Sequence, residues 1–219
     1  MITKGENIVT VLLAIAVKPH PETGLIPYIL MGSDSLKINT NNELSNQSRD
    51  EDAKKIFRVN DKLISMSGRI DTNFYDGIIE FIRQNDCEIT DLSNLVLTHI
   101  KHHMSENERY EDARFAVYIG SCINATPKLA FIEVEKNNLE NHKLTIMEPP
   151  INGFVPGFAG SISVPQDDDL SYAFIERVRN NCDNLNLTCV KRAAKDYLEK
   201  AAERYPERCN QNIKFEIIR

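Results

Sequence analysis

No apolar run in this 219-residue sequence is long enough to cross a bilayer; the longest, Val9 to Val17, falls well short of the roughly 20 residues a membrane helix needs. The opening residues MITKGENIVT lack the charged segment, apolar core and small-residue cleavage site of an export signal. There is no basic tail: 26 basic residues face 32 acidic ones, for a net charge of −6. That balance makes nucleic acid and anionic membranes poor partners. CxxC pairs are absent too. The five cysteines (Cys87, Cys122, Cys182, Cys189, Cys209) form an odd, scattered set. Without an export signal they read as free thiols in a reducing, cytoplasmic compartment, and a metal site is not expected. With no repeat and no linker, residues 1–219 read as a single domain.

What is present is a clear change of periodicity. The segment IVTVLLAIAVK, from Ile8, is β-branched and apolar with almost no alternation, as a strand covered on both faces would be. KPHPETG is a turn by composition, and LIPYILMGSDS returns as a second strand. Asn39 to Asp52 is polar and aperiodic, which predicts a loop; Ile56 to Ser67 follows as a strand pair. From Thr72, a candidate N-cap, Tyr75, Ile78, Ile79 and Ile82 fall at helical spacing, and a second helix is expected from near Asp91. ARFAVYIGS, KLAFIEVE and HKLTIME are strands, with a turn at NATP between the first two. After GFVPGFAGS two more helices follow, the first behind the acidic start Asp167-Asp168-Asp169. IKFEII is a closing strand. Helices in consecutive pairs between blocks of strands do not suit a parallel βαβ sheet. They suit an α+β, four-layer αββα sandwich of two antiparallel sheets with a helix pair on each outer side.

One stretch raises a sharper question. DAKKIFRVNDKLISMSG puts two lysines directly before a strand, where solvent is the ordinary place for both. His99 and His103 lie on the apolar face of the second helix, where interior or interface packing is the simpler reading than metal binding.

Taken in order, TVLLAIAVK, LMGSDS, DAKKIFRVNDKLISMSG, FAVYIGS with KLAFIEVE, and FAGSIS resemble the proteasome β-type subunits and their bacterial relatives, members of the N-terminal-nucleophile (Ntn) hydrolases. The set spans most of the chain from Ile8 onward. This resemblance implies the αββα fold and an N-terminal threonine hydrolase, a peptidase or amidohydrolase, that uses no cofactor. Residue by residue, it implies Thr10 as the nucleophile, freed by removal of residues 1–9 as a propeptide or N-terminal extension. It implies Asp34 as the buried aspartate, Lys55 as the catalytic lysine, Ser161 as the serine of the GSIS turn and Gly68 as the oxyanion donor. It also implies a ring-like homo-oligomer, a peptide or amide substrate and an ATP-dependent unfoldase as partner.

The chemistry behind that set is coherent. A hydroxyl needs a base, and a free α-amine with pKa roughly 8 can serve near neutrality. A lysine paired with an aspartate lowers the nucleophile's pKa, and a backbone N–H holds the oxyanion. The sequence also departs from the pattern. Val9 stands where a glycine is usual before the nucleophile, and Leu36 where an arginine is usual. Pro206 and Cys209 occupy the places of an aspartate and a serine that support the amine, with Glu207 close by. The alternative is therefore a non-catalytic subunit that keeps the fold and the assembly.

Overall fold

The computed structural model describes residues 11–40, 47–50, 52–68, 72–106, 114–160, 168–206 and 209–219. The first strand, β1 (Val11–Lys18), pairs antiparallel with β2 (Tyr28–Ser33). Their connection, Pro19 to Pro27, ends its short 3-10 turn on Gly24 at φ 68°. Lys37–Thr40 (β3) and Gln47–Asp50 (β4) then pair with each other as a two-stranded ribbon. This corrects the expected loop over Asn39 to Asp52. Backbone pairing alone defines such a ribbon, so a polar run gives no apolar period by which to read it.

Next come β5 (Ile56–Val59) and β6 (Lys62–Gly68), then α1 (Thr72–Gln84) and α2 (Ile89–Glu106). Helix α2 starts two residues earlier than the periodicity predicts. Strands β7 (Arg114–Ile123), β8 (Thr126–Glu135) and β9 (Lys143–Met147) complete a five-stranded antiparallel sheet in the order β5-β6-β7-β8-β9. Asn124 and Ala125, both at positive φ, make the tight β7–β8 turn that a two-residue hairpin demands.

Gly153–Gly160 (β10) is a strand that composition concealed, because GFVPGFAG is rich in glycine and proline. It pairs with β1 at the edge of a second sheet, ordered β10-β1-β2-β11, where Pro156 is tolerated. Gly157 is there for closeness: a Cβ on it would lie 2.5 Å from the ring of Tyr118 in the other sheet. The chain ends with α3 (Asp168–Asn181), α4 (Leu187–Arg204) and β11 (Lys214–Ile218).

Three apolar clusters bind these parts. Leu13, Ile15 and Val17 of β1 meet Phe174 and Val178 of α3 and Val190, Ala194 and Leu198 of α4. The alternate residues Leu12, Ala14 and Ala16 meet Leu63, Tyr118 and Leu129 of the five-stranded sheet. That sheet's opposite face, with Ile64, Met66, Val117 and Ile132, packs on Ile78 and Ile82 of α1 and Leu92, Val96 and Ile100 of α2. Strand β1 is apolar from Val11 to Val17, and both its faces are covered there. Each such side chain contributes about 1.5–3 kcal/mol relative to exposure.

His99 and His103 of α2 are packing residues. His99 stacks on Phe81 and His103 on Phe74, with ring centroids 4.3 and 4.2 Å apart. Among the described residues, no three of His, Cys, Asp and Glu are grouped to hold a metal ion. No described helix is long and apolar enough to cross a membrane. The expectation of five free thiols is corrected: Cys182 and Cys189 form a disulfide, with Cα atoms 5.4 Å apart, joining the end of α3 to the first turn of α4. Cys87, Cys122 and Cys209 form no disulfide.

Candidate active site

The two adjacent lysines diverge. Lys54 is exposed and its ammonium sits 5.5 Å from the ring centre of Phe57. Lys55 turns inward, only 8% exposed, and donates to Oδ1 of Asp34 at 2.9 Å. Asp34 is fully buried at the end of β2.

The surroundings of Asp34 follow from its place. β2 runs beside β1, so the residue after Ser33 meets the first residue of β1, and the Val11 N–H donates to Asp34 Oδ1 at 3.0 Å. The other carboxylate oxygen accepts the N–H of Leu36 at 3.0 Å. An uncompensated charge in such a place would cost several kcal/mol, and here it receives an ammonium and two amides. Leu36, where an arginine was the family expectation, is itself buried and contributes its backbone.

Electrostatically, Lys55 is the perturbed member. Burial holds its ammonium below the usual lysine range. The charge and hydrogen bond of Asp34 act in the other direction without cancelling that effect, and Cys209 adds a smaller contribution of the same sign as Asp34. Such a lysine both presents positive charge and gives up its proton more readily than a surface lysine.

Gly68 ends β6 at φ 145°, a conformation that suits glycine, and a Cβ there would lie 2.5 Å from the carbonyl oxygen of Arg114. Thr10 and Ser161 lie outside the described residues, as do Val9 and Glu207; their neighbours Val11 and Gly160 face each other across β1 and β10. Cys209 is buried and its N–H donates to the Tyr205 carbonyl.

A further set of contacts has no signature in local pattern. Ser35 donates through its N–H and its hydroxyl to Oδ1 of Asn210, at 3.1 and 3.3 Å. In GSDS it resembles an ordinary turn serine, and Asn210 sits in a polar stretch without a period. A separate cavity of about 480 Å³, lined by Phe154, Ile175, Arg179 and Cys182 among others, includes none of the site residues.

The sequence matches no protein-family model, and no curated protein matches it. Solved structures do match. HslV from Trypanosoma brucei aligns over 94% of this chain and 98% of its own, with 13% identity and a TM-score of 0.52. The fold is proteasome-like. Anbu, an ancestral β-subunit, from Yersinia bercovieri covers 94% of this chain and 81% of its own at 11% identity and TM-score 0.58. Anbu from Pseudomonas aeruginosa, described as a helical assembly, covers 94% and 80% at 12% identity and TM-score 0.55. The resemblance seen in the sequence motifs is thus matched by a proteasome-like fold over most of the chain. Identities this low carry the fold alone.

Proposed function

We propose that this proteasome-like chain is an N-terminal-threonine hydrolase acting on peptide or amide bonds. The observation that carries the reading is the buried Lys55–Asp34 pair, bonded through the same carboxylate oxygen to the amide that follows Thr10. A pair so costly to bury, bonded to the backbone of Val11, suits a tuned nucleophile better than a packing device. The layer order we assign is the four-layer αββα sandwich, in one domain spanning residues 1–219, and the three apolar clusters support it.

In the mechanism, removal of residues 1–9 frees the Thr10 amine. That amine takes the hydroxyl proton as Oγ attacks the carbonyl carbon. Lys55 supplies positive charge that favours the alkoxide, and Asp34 holds Lys55 in place. The N–H of Gly68 receives the oxyanion, and Ser161 supports the amine. The leaving amine takes the proton back, and water releases the acyl group by the same path in reverse. No cofactor is required. A ring-like or helical homo-oligomer in the cytoplasm, served by an ATP-dependent unfoldase, completes the reading. The helical assembly of the Pseudomonas Anbu is the nearest support for self-association.

Specific observations favour a second reading. Val9 before the nucleophile, Leu36, Pro206 and Cys209 all depart from the pattern of active relatives, which fits a non-catalytic subunit that retains fold and assembly. Intact mass of protein made without an N-terminal tag separates the two. Loss of residues 1–9, abolished by Thr10→Ala and accompanied by cleavage of small peptide amides, is the expected result. Retention of those residues with no hydrolysis would leave only the non-catalytic subunit.

A further inference from the structure

Asp34 and Lys55 come from different sheets. Asp34 follows β2 in the four-stranded sheet, and Lys55 precedes β5 in the five-stranded one. Holding their charged groups at 2.9 Å therefore requires the segments 34–36 and 52–55 to be fixed against each other. One backbone bond does this locally: the Ala53 N–H donates to the Ser35 carbonyl at 2.9 Å. Ser35 is the neighbour of Asp34, and Ala53 lies two residues before Lys55.

Ser35 is fully buried, and both of its donors meet a single atom, Oδ1 of Asn210. Asn210 sits between α4 and β11, and β11 is the strand that flanks β2 on its other side. Two positions on, Asn212 donates to Asp52 at 2.7 Å, so the same loop also holds the segment that delivers Lys55. Nothing about folding a β-hairpin requires an amide oxygen here. The arrangement instead acts where the two halves of the ion pair are joined, just outside the Lys37–Asp50 pairing of the β3–β4 ribbon.

We infer that Asn210 is a positioning residue for the candidate site: by accepting both Ser35 donors it locks the 34–36 turn onto the 52–55 segment and so sets the Lys55–Asp34 geometry. This rests on the proposal that the pair serves Thr10. Asn210 carries no charge, and the charged or titratable groups that act on Lys55 are Asp34 and Cys209. Removing Asn210 therefore reaches Lys55 only through distance and water.

The test is Asn210→Ala in the full chain, with three readings. Amide exchange at Ala53 is expected to accelerate by about ten-fold, the loss of roughly one buried hydrogen bond, while β7 and β8 keep their protection. The Lys55 side-chain NMR titration is expected to move up toward the ordinary lysine value as water enters. Where the parent hydrolyses peptide amides, kcat is expected to fall about ten-fold with KM little changed. Asn210→Asp, which keeps an accepting oxygen, should restore the Ala53 protection. Unchanged Ala53 exchange with an unchanged Lys55 titration overturns the inference, and so does acceleration spread evenly over the molecule. Should Asn210→Ala not fold, the exchange and titration readings on Ser35→Ala, which removes one of the two donors, decide the matter by the same criteria. A parent without activity would defeat the hydrolase proposal and leave the exchange and titration readings standing.

Discussion

Val11 and Asp34 hold each other by two hydrogen bonds that run in opposite directions. The Val11 N–H donates to the Asp34 carboxylate at 3.0 Å, and the Asp34 N–H donates to the Val11 carbonyl at 3.3 Å. The first residue of β1 therefore fixes both backbone and side chain of the aspartate, and Lys55 is added to a carboxylate already in place.

Asp34→Ala strands a buried ammonium and withdraws the acceptor of two amides. It should cost about 3–5 kcal/mol, the usual penalty for removing one member of a buried pair. Asp34→Asn, which keeps an oxygen for Val11, should cost less. Urea unfolding of the three proteins measures both, and a loss below about 1 kcal/mol for Asp34→Ala would mean that Lys55 is solvated.

Lys55 gives a pH signature whose sign is fixed by its depressed pKa. Between its folded value and the ordinary 10.5, the unfolded chain binds more protons than the folded one, so stability rises with pH across that window. Below the folded value the deficit is constant. Unfolding free energies of parent and Lys55→Met, compared from neutral pH upward, should diverge in the parent's favour as pH approaches 10.5. Parallel curves would contradict the burial effect.

His99 should act at the acid end. Burial, then the charges of His103 and His102, hold its pKa below 6.5, so acidification through that window costs stability as the unfolded chain takes up the proton first. His99→Phe, which can keep a stack on Phe81, should flatten the acid limb of a thermal-melting profile between about pH 7 and 5. An identical limb in both proteins would place His99 in water.

Thiol counting tests the α3–α4 disulfide. Alkylation in denaturant without reductant should label three of the five cysteines, and after reduction all five. Five labels without reductant would remove the bond.

Gly68→Ala should destabilise by about 1–3 kcal/mol, since the new Cβ meets the Arg114 carbonyl and the φ of 145° disfavours alanine. Differential scanning calorimetry would register this as a fall in Tm of a few degrees. An unaltered Tm would require the β6 end to relax freely.

Much of this was legible because it depends on local pattern. Strand β1 carries apolar residues without alternation, and both faces are indeed covered. Helices α1 and α2 announce themselves by spacing. Lys54 and Lys55 are indistinguishable by composition; only the ordered motifs around them point to Lys55 as the inward one. Other features depend on distant partners. Strand β10 exists because β1 offers it an edge, despite its proline. The Cys182–Cys189 bond depends on how α3 turns into α4. Ser35 and Asn210 are 175 positions apart, and no local period connects them.

Strand β11 has a bearing on synthesis. It pairs with β2 at residues 214–218, so the edge of the strand leading into Asp34 stays open until that segment has left the ribosome. By then β1 and β2, close in sequence, can have paired, leaving an apolar run from Tyr28 to Met31 with one unmatched side. A nascent or truncated chain that stops short of Lys214 would expose a sticky β-edge of the kind that recruits other chains. Its yield in the soluble fraction would then depend on chaperones in a way that the finished chain's does not.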